Sequence, residues 1–370
     1  MLRKFRVEGY KGFRDPVEFN LSAHKYDFNE RIVKGGVVKN ATIYGKNGIG
    51  KSSLGSALFD IVMHLTDTKP MGDRYLLNYL NLDEVNKNYA SFSYEFVFDD
   101  HVVVYSYQKT APTEMKWEEL TVNGKLVVRY DFNDKKSLEV DSGVVGNLNV
   151  ELPDNHLSVV KYLYRNLNKT AIPALTKLVQ FCEGMLWYRS LSDGNTYAGF
   201  TNGTRDIFEV ICSSNKLKDF QRFLLSNDLK YDLEARSVNG NLELYAKFAN
   251  GKRAVPFNSV ASTGTKALSL FYFWRIFAAG RMSFLFIDEF DAFFHYEAAE
   301  VVVGSLNNEE GFQTILTSHN TYLMNNRLTR PDCCFIMTKN KISCLCDCTD
   351  REIREAHNLE KMYVNGAFCE

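Results

Sequence analysis

The sequence is short of most features that would mark a specialised class. Its 8 cysteines include no Cys-x-x-Cys pair, which removes the usual zinc ribbon or disulfide scaffold and fits thiols kept reduced. Only 7 prolines occur in 370 residues, with no low-complexity tract, so the chain is not linker-rich or disordered. Neither sign of charge is in surplus: 44 Lys plus Arg against 45 Asp plus Glu give a net charge of −1. That balance excludes a basic coat for nucleic acid, although a local basic groove is compatible with it. No repeat recurs and no heptad register lasts beyond about two turns, which excludes solenoids and long coiled-coil arms. The opening Arg3-Lys4-Phe5-Arg6 leads into Val7-Glu8-Gly9-Tyr10, unlike the apolar core of a secretory signal. The most apolar stretch, 267–287, carries Arg275 and Arg281, each costing about 2.5–3.5 kcal/mol at a bilayer centre. It reads as a buried helix followed by a buried strand. The expectation is a soluble, cytoplasmic protein with no membrane contact.

What the chain has is a globular composition, 45% hydrophobic and 14% aromatic, enough at this length to bury a large core. Its most informative stretch is Gly45-Lys46-Asn47-Gly48-Ile49-Gly50-Lys51-Ser52, a Gly-x-x-x-x-Gly-Lys-Ser pattern. A β-branched and aromatic run at 41–44 enters it as a strand, and a helix-compatible run at 53–65 leaves it. Glycines let such a loop turn its backbone N–H groups inward as an anion nest, and the helix N-terminus adds partial positive charge. The pattern gathers Asn47, Gly48, Ile49, Gly50, Lys51, Ser52 and Ser53 around a nucleotide's phosphates. Lys51 reaches the β- and γ-phosphates and the Ser52 hydroxyl ligates Mg²⁺. The plainer alternative is a Gly-rich turn opening an ordinary helix.

Two later runs also end in polar groups. Residues 282–289 are apolar up to Asp288 and Glu289, and four apolar residues in succession fit a strand buried on both faces of a parallel sheet. Carboxylates at that end sit where open α/β sheets hold ligands. Asp288 is then placed to orient a Mg²⁺ shell and Glu289 to polarise an attacking water. Residues 312–320 end likewise in Ser318, His319 and Asn320, with His319 available as a donor to a γ-phosphate. Either run alone is equally an ordinary strand end. Cys344, Cys346 and Cys348 alternate in a strand-like run and could share a metal, but the sequence offers no evident fourth ligand.

Elsewhere, 2–8 and 17–21 alternate as strands with one wet face, and 37–44 reads as one apolar strand. Residues 90–99 and 101–109 flank Asp99-Asp100, and 116–123 and 125–132 flank Asn123-Gly124, two hairpin signals. Spacing is helical over 157–229, broken at Pro173, Gly184 and 192–203. A further hairpin, 231–236 with 242–248, turns through Asn239-Gly240-Asn241.

In this order the pieces resemble the heads of ABC-class ATPases: SMC and RecF heads, and above all the small OLD-like ATPases, some linked to bacterial phage defence. The resemblance covers 1–66 and 255–370. In it Lys51 and Ser52 fall at Walker A, Asp288 and Glu289 at Walker B with its catalytic acid, and His319 at the switch histidine. The family's signature, Leu-Ser-Gly-Gly-Gln, is similar to Val260-Ala261-Ser262-Thr263-Gly264-Thr265-Lys266 at Ser262 and Gly264, with Thr263 and Thr265 departing from it. By themselves those residues make an N-cap for a helix at 267–278. The resemblance implies instead that Ser262, Gly264 and Thr265 serve the partner's γ-phosphate, with Asp291 and His295 near that interface. The stretches 5–13 and 354–368 also resemble the family's opening and tail. Its Mg²⁺-contacting glutamine has no clear match; Gln108 and Gln180 are available, neither in a convincing context.

The fold so implied is α/β: a P-loop ABC-type ATPase head with a mostly parallel core sheet, an antiparallel β lobe and an inserted helical lobe. Its parts are a nucleotide-binding core at 1–66 and 255–350, a β lobe at 90–150 and 230–255, a helical insert at 155–229 and a tail at 351–370. The function so implied is Mg-ATP binding and hydrolysis, with Glu289, His319 and Lys51 catalytic and Ser52 and Asp288 on the metal. Heads would pair around ATP as a dimer or larger assembly and control a separate nuclease or toxin in anti-phage defence. No second catalytic module is expected after Asp288-Glu289. Two other readings stay open: a RecF/SMC-like repair ATPase that grips DNA, and an ATP-gated scaffold with negligible turnover.

Overall fold

Five short strands, their residues almost all buried, run parallel through the centre of the molecule. In the computed structural model, which describes residues 1–67, 73–141, 154–190, 197–199 and 206–368, they lie in the order Met185–Arg189, Phe284–Asp288, Gln313–Ser318, Asn40–Tyr44, Cys334–Met337. Antiparallel edge strands Tyr197–Gly199 and Ile342–Cys344 bring this sheet to seven. Alternate residues of one strand feed two cores. Phe284 and Phe286 pack with Leu54, Ala57 and Leu58 of the Lys51–Leu58 helix, whereas Leu285 and Ile287 pack with the helices Thr263–Phe277 and Tyr296–Asn307. A strand covered on both faces needs no polar alternation, hence the unbroken apolar run.

A second seven-stranded sheet is antiparallel, in the order Glu139–Val140, Lys125–Asp131, Glu114–Val122, His101–Ala111, Ala90–Phe98, Leu2–Glu8, Val17–Asn20. Its hairpins turn at Asp99 and Asn123, whose φ values are 50°, as tight turns with left-handed residues require. Asp232–Val238, Asn241–Phe248 and Arg253–Pro256 form a sheet of their own.

Three expectations change here. Residues 2–20 join the antiparallel sheet rather than the nucleotide-binding core, because Leu2–Glu8 pairs with Ala90–Phe98, a partner that local alternation cannot identify. Residues 230–255 do not extend that sheet. Finally, 157–229 is not purely a helical insert: beside the helices Val159–Asn166, Pro173–Glu183, Ile207–Ser213 and Leu217–Leu225 it supplies Met185–Arg189, an inner strand of the core sheet. Five bulky residues in a row carry no period that separates strand from buried helix. The expected strand at 37–44 is likewise two pieces, Val37–Val38 and Asn40–Tyr44. Between them the Lys39 Nζ donates to the carbonyls of Glu309 at 2.7 Å and Asn307 at 3.2 Å. Among the described residues no helix is long and apolar enough to cross a membrane.

Candidate functional site

The parallel strands direct their C-terminal ends to one edge of the sheet, where the chain leaves each of them in a polar turn, the usual ligand position of such sheets. From Asn40–Tyr44 it passes through the glycine-rich loop into the helix Lys51–Leu58. Gly50, at φ 109°, caps that helix in a conformation that L side chains rarely adopt. Asn47, Gly48 and Ser52 are exposed, and Ile49, Gly50 and Ser53 are partly so. The Lys51 side chain is buried instead and lies back along the loop, its Nζ donating to the carbonyls of Gly45 at 2.7 Å and Lys46 at 3.2 Å. Burial lowers its pKa, while the carboxylates of Asp288, Glu289 and Asp291 pull the other way.

Asp288, fully buried, joins the loop helix to two neighbouring strands. One carboxylate oxygen accepts from the Ser52 Oγ at 2.6 Å and the other from the Thr317 Oγ1 at 2.8 Å. Thr317 spends its proton on Asp288 and its lone pair on the Glu289 N–H, at 2.7 Å, which uses a hydroxyl's donor and one acceptor site. One residue on, the Ser318 Oγ donates to Asp291 at 2.6 Å and accepts from the Asn320 N–H at 2.8 Å. Burial raises the Asp291 carboxyl. His319, next in the chain, is exposed; partial desolvation and then the Lys51 charge lower its pKa, against the pull of Asp291, Glu289 and Asp288.

Ser52 and Asp288 thus present two hard oxygen donors 2.6 Å apart. Adjacent corners of an octahedron with Mg²⁺–O bonds of 2.0–2.1 Å lie about 2.9 Å apart, so the pair fits Mg²⁺ with little movement.

Glu289 has φ 50°, a left-handed backbone costing a non-glycine residue about 1–3 kcal/mol. Its N–H bond to Thr317 holds the turn. Its Oε2 accepts from Nη2 of Arg189 at 2.6 Å and from Nε at 3.1 Å, a charge-assisted pair that fixes the carboxylate's direction. Arg189 ends the strand Met185–Arg189, in register with Asp288. The sequence alone singles out neither Arg189 nor Thr317. The signal for Arg189 is the short apolar run after Gly184, closed by a charge as 282–289 is closed by acids.

Ser262, Gly264 and Thr265 lie at the start of another helix. Ser262 caps the helix Thr263–Phe277, its Oγ accepting from the Thr265 N–H at 3.2 Å and pairing with the Thr265 hydroxyl at 2.9 Å. Ser262 is exposed, but Thr265 is buried in its own chain, facing the core from the first helical turn. A Cβ on Gly264 would meet the Phe293 carbonyl oxygen at 2.7 Å, so close packing explains that glycine. Among the described residues no hydrogen bond or ion pair joins this segment to Lys51, Asp288 or Glu289 of the same chain. It lines a cleft with Phe293, His295 and Val301. Phe293, Tyr296, Val301 and Tyr322 are unusually exposed for their size, and the rings of Tyr296 and Tyr322 stand 5.9 Å apart. Gln108 lies in the antiparallel sheet opposite Trp117, and Gln180 is exposed on the helix Pro173–Glu183.

The family model described as "AAA domain, putative AbiEii toxin, Type IV TA system" matches residues 41–325. No curated protein matches the chain. Among solved structures, the SMC head domain from Thermotoga maritima is 15% identical with a TM-score of 0.43, over 93% of this chain and 98% of that one. An SmcHead bound to the C-winged helix domain of ScpA gives 16% and 0.45, over 93% and 97%. An Smc head domain with an extended coiled coil, bound to the C-terminal domain of ScpA and derived from Pyrococcus furiosus, gives 13% and 0.44, over 92% and 95%.

Proposed function

The chain belongs to the AAA-domain family described as a putative AbiEii toxin of a type IV TA system, and from that premise we propose that it binds and hydrolyses Mg-ATP. The observation that carries this reading is the 2.6 Å contact between Ser52 and Asp288 beside the buried Lys51. The loop's N–H groups and Lys51 bind the phosphates. Ser52 and Asp288 would hold Mg²⁺, which would supply positive charge against the phosphate oxygens. Glu289 takes a proton from the attacking water, and a His319 ring N–H donates to the γ-phosphate. Arg189 acts through Glu289, fixing its carboxylate. Arg189→Ala is therefore expected to lower kcat about 10–100-fold through misorientation of Glu289, with KM for ATP little changed, as initial rates over an ATP series will test.

Paired heads complete the site. Among the described residues no hydrogen bond or ion pair joins Ser262, Gly264 or Thr265 to Lys51, Asp288 or Glu289, and of the exposed aromatic residues Phe293 lines the cleft that holds Ser262 while Tyr322 follows His319 by three residues. This supports a second head closing over bound ATP, with Ser262 and the N-terminal turn of its helix facing the partner's γ-phosphate. Thr265 serves as the cap's support rather than as a ligand. Nucleotide state then sets the association equilibrium, and the closed assembly holds or releases a separate cytoplasmic effector, a nuclease or toxin, in anti-phage defence.

The direct test is nucleotide binding by the purified chain with and without Mg²⁺. Lys51→Ala removes a charge-assisted phosphate contact and is expected to weaken ATP binding about tenfold or more, as fluorescent-nucleotide titration will measure. No saturable binding by the unaltered chain would overturn the proposal. Co-expression with neighbouring genes, and identification of what co-elutes with and without ATP, tests the effector.

A further inference from the structure

The cysteines that lack a fourth partner in the sequence find two in the structure. Their alternation is not that of a strand, because Ile342–Cys344 ends at Cys344 and the chain turns into a 3-10 helix, Leu345–Cys348. The turn carries Cys348 away and brings Cys346 back over Cys344, with their sulfurs 2.8 Å apart. Asp347 Oδ2 stands 3.1 Å from the Cys344 Sγ. His24, which precedes Cys344 by 320 residues, places its Nε2 3.3 Å from Asp347 Oδ1 and 4.0 Å from the Cys344 Sγ. One donor atom from each of the four residues lies within 4.8 Å of every other.

We propose that His24, Cys344, Cys346 and Asp347 bind a divalent zinc ion. Corner-to-corner distances in a tetrahedron with Zn–N, Zn–O and Zn–S bonds of 2.0–2.3 Å are about 3.3–3.8 Å; the 3.3 Å between His24 and Asp347 fits as it stands, and the sulfurs, 2.8 Å apart, open by about 1 Å to admit the ion. Two sulfurs with an imidazole select a soft or borderline metal and exclude Mg²⁺ and Ca²⁺, which take oxygen. Four protein donors fill a tetrahedron, so the site is structural rather than catalytic.

The surroundings are built to hold it. The His24 N–H donates to Asp332 Oδ2 at 2.8 Å and its carbonyl accepts from Arg330 Nη2 at 2.8 Å. Those two side chains form a buried ion pair, 2.7 Å apart. The histidine's backbone is thus fixed from both sides before any metal arrives, which is what an outer shell contributes to metal affinity. Leu345, fully buried, anchors the turn that carries Cys346 and Asp347. Cys344 pairs with Phe335 near the start of Cys334–Met337, whereas Met337 at its end packs on the phosphate loop. The ion therefore sits toward the opposite end of the sheet from the nucleotide. It clasps the core sheet's edge to the segment that leaves the antiparallel sheet at Val17–Asn20.

Elemental analysis of the full chain, purified under reducing conditions, is expected to find one zinc per chain. After chelator stripping, Co²⁺ alone should restore a sulfur-to-cobalt charge-transfer band, and the stripped chain should melt at a lower temperature. Asp347→Asn, at an exposed position that leaves folding intact, is expected to weaken Co²⁺ binding about tenfold or more. Cys346→Ser should halve the charge-transfer intensity, while Cys348→Ser leaves it unchanged. Sub-stoichiometric zinc together with no cobalt band would overturn the proposal. So would a Cys344–Cys346 disulfide in protein handled without oxygen.

Discussion

Glu289→Gln is expected to lower steady-state phosphate release from ATP by about 10²–10⁴-fold, the range for loss of a positioned general base. The substitution keeps the side chain's shape, and the amide oxygen can still accept from Arg189, so neither the turn at φ 50° nor the Thr317 contact needs to change. Ser52, Asp288 and Lys51 are untouched, so ATP affinity should stay within a few-fold. A head that binds ATP and cannot remove its γ-phosphate accumulates the closed pair, because the contacts favouring association persist. Light scattering with ATP should then give a dimer or larger species that decays slowly in the variant and quickly in the unaltered chain. Unchanged turnover would remove Glu289 from the chemistry, and unchanged assembly would leave ATPase activity without the coupling. An ATP-gated scaffold predicts the same assembly in both proteins.

The parts of this site that were legible in the sequence are those whose physics is local. The glycine-rich loop needs its backbone freedom within a few residues, and Asp288-Glu289 and Ser318-His319 announce themselves as polar ends of wholly apolar runs. Arg189 was not legible. Its strand lies among true helices, and only the pairing of Met185–Arg189 with Phe284–Asp288 puts its guanidinium on Glu289. Thr317 is equally hidden, since a threonine among buried strand residues looks like packing until its partners are known. The N-terminal strand followed the same rule. Its alternation gave its type, but its place between Val17–Asn20 and Ala90–Phe98 depends on a contact some ninety residues away. His24 and Asp347 are the extreme case, a pairing across nearly the whole chain that no spacing encodes.

Lys109→Met is expected to cost about 3–5 kcal/mol of folding stability, the penalty for orphaning one member of a buried ion pair. Lys109 and Asp60 are both wholly inaccessible to water, and their charged atoms stand 2.7 Å apart. Asp60 opens the helix Asp60–Leu65, which continues from the phosphate-loop helix, while Lys109 lies in His101–Ala111 of the antiparallel sheet. The pair therefore bolts the nucleotide-binding layer to the second sheet. Three phenols complete the carboxylate's shell: Tyr75 at 2.6 Å and Tyr79 at 2.7 Å on Oδ2, and Tyr107 at 2.9 Å on Oδ1. Methionine fills the lysine's volume without its charge, so Asp60 keeps the phenols but loses its counter-ion in a medium that cannot solvate it. Burial lowers the Lys109 pKa, and the Asp60 carboxylate is the largest influence opposing that. Asp60→Asn in the Lys109→Met background removes the stranded charge while retaining an acceptor for the phenols, and should recover part of the loss. Urea unfolding of the unaltered chain, of Lys109→Met and Asp60→Asn singly, and of the double variant yields the coupling directly. A loss below about 1 kcal/mol in the single variant would mean that the pair behaves like a solvated surface bridge, and that the two sheets are held together by their aromatic packing alone.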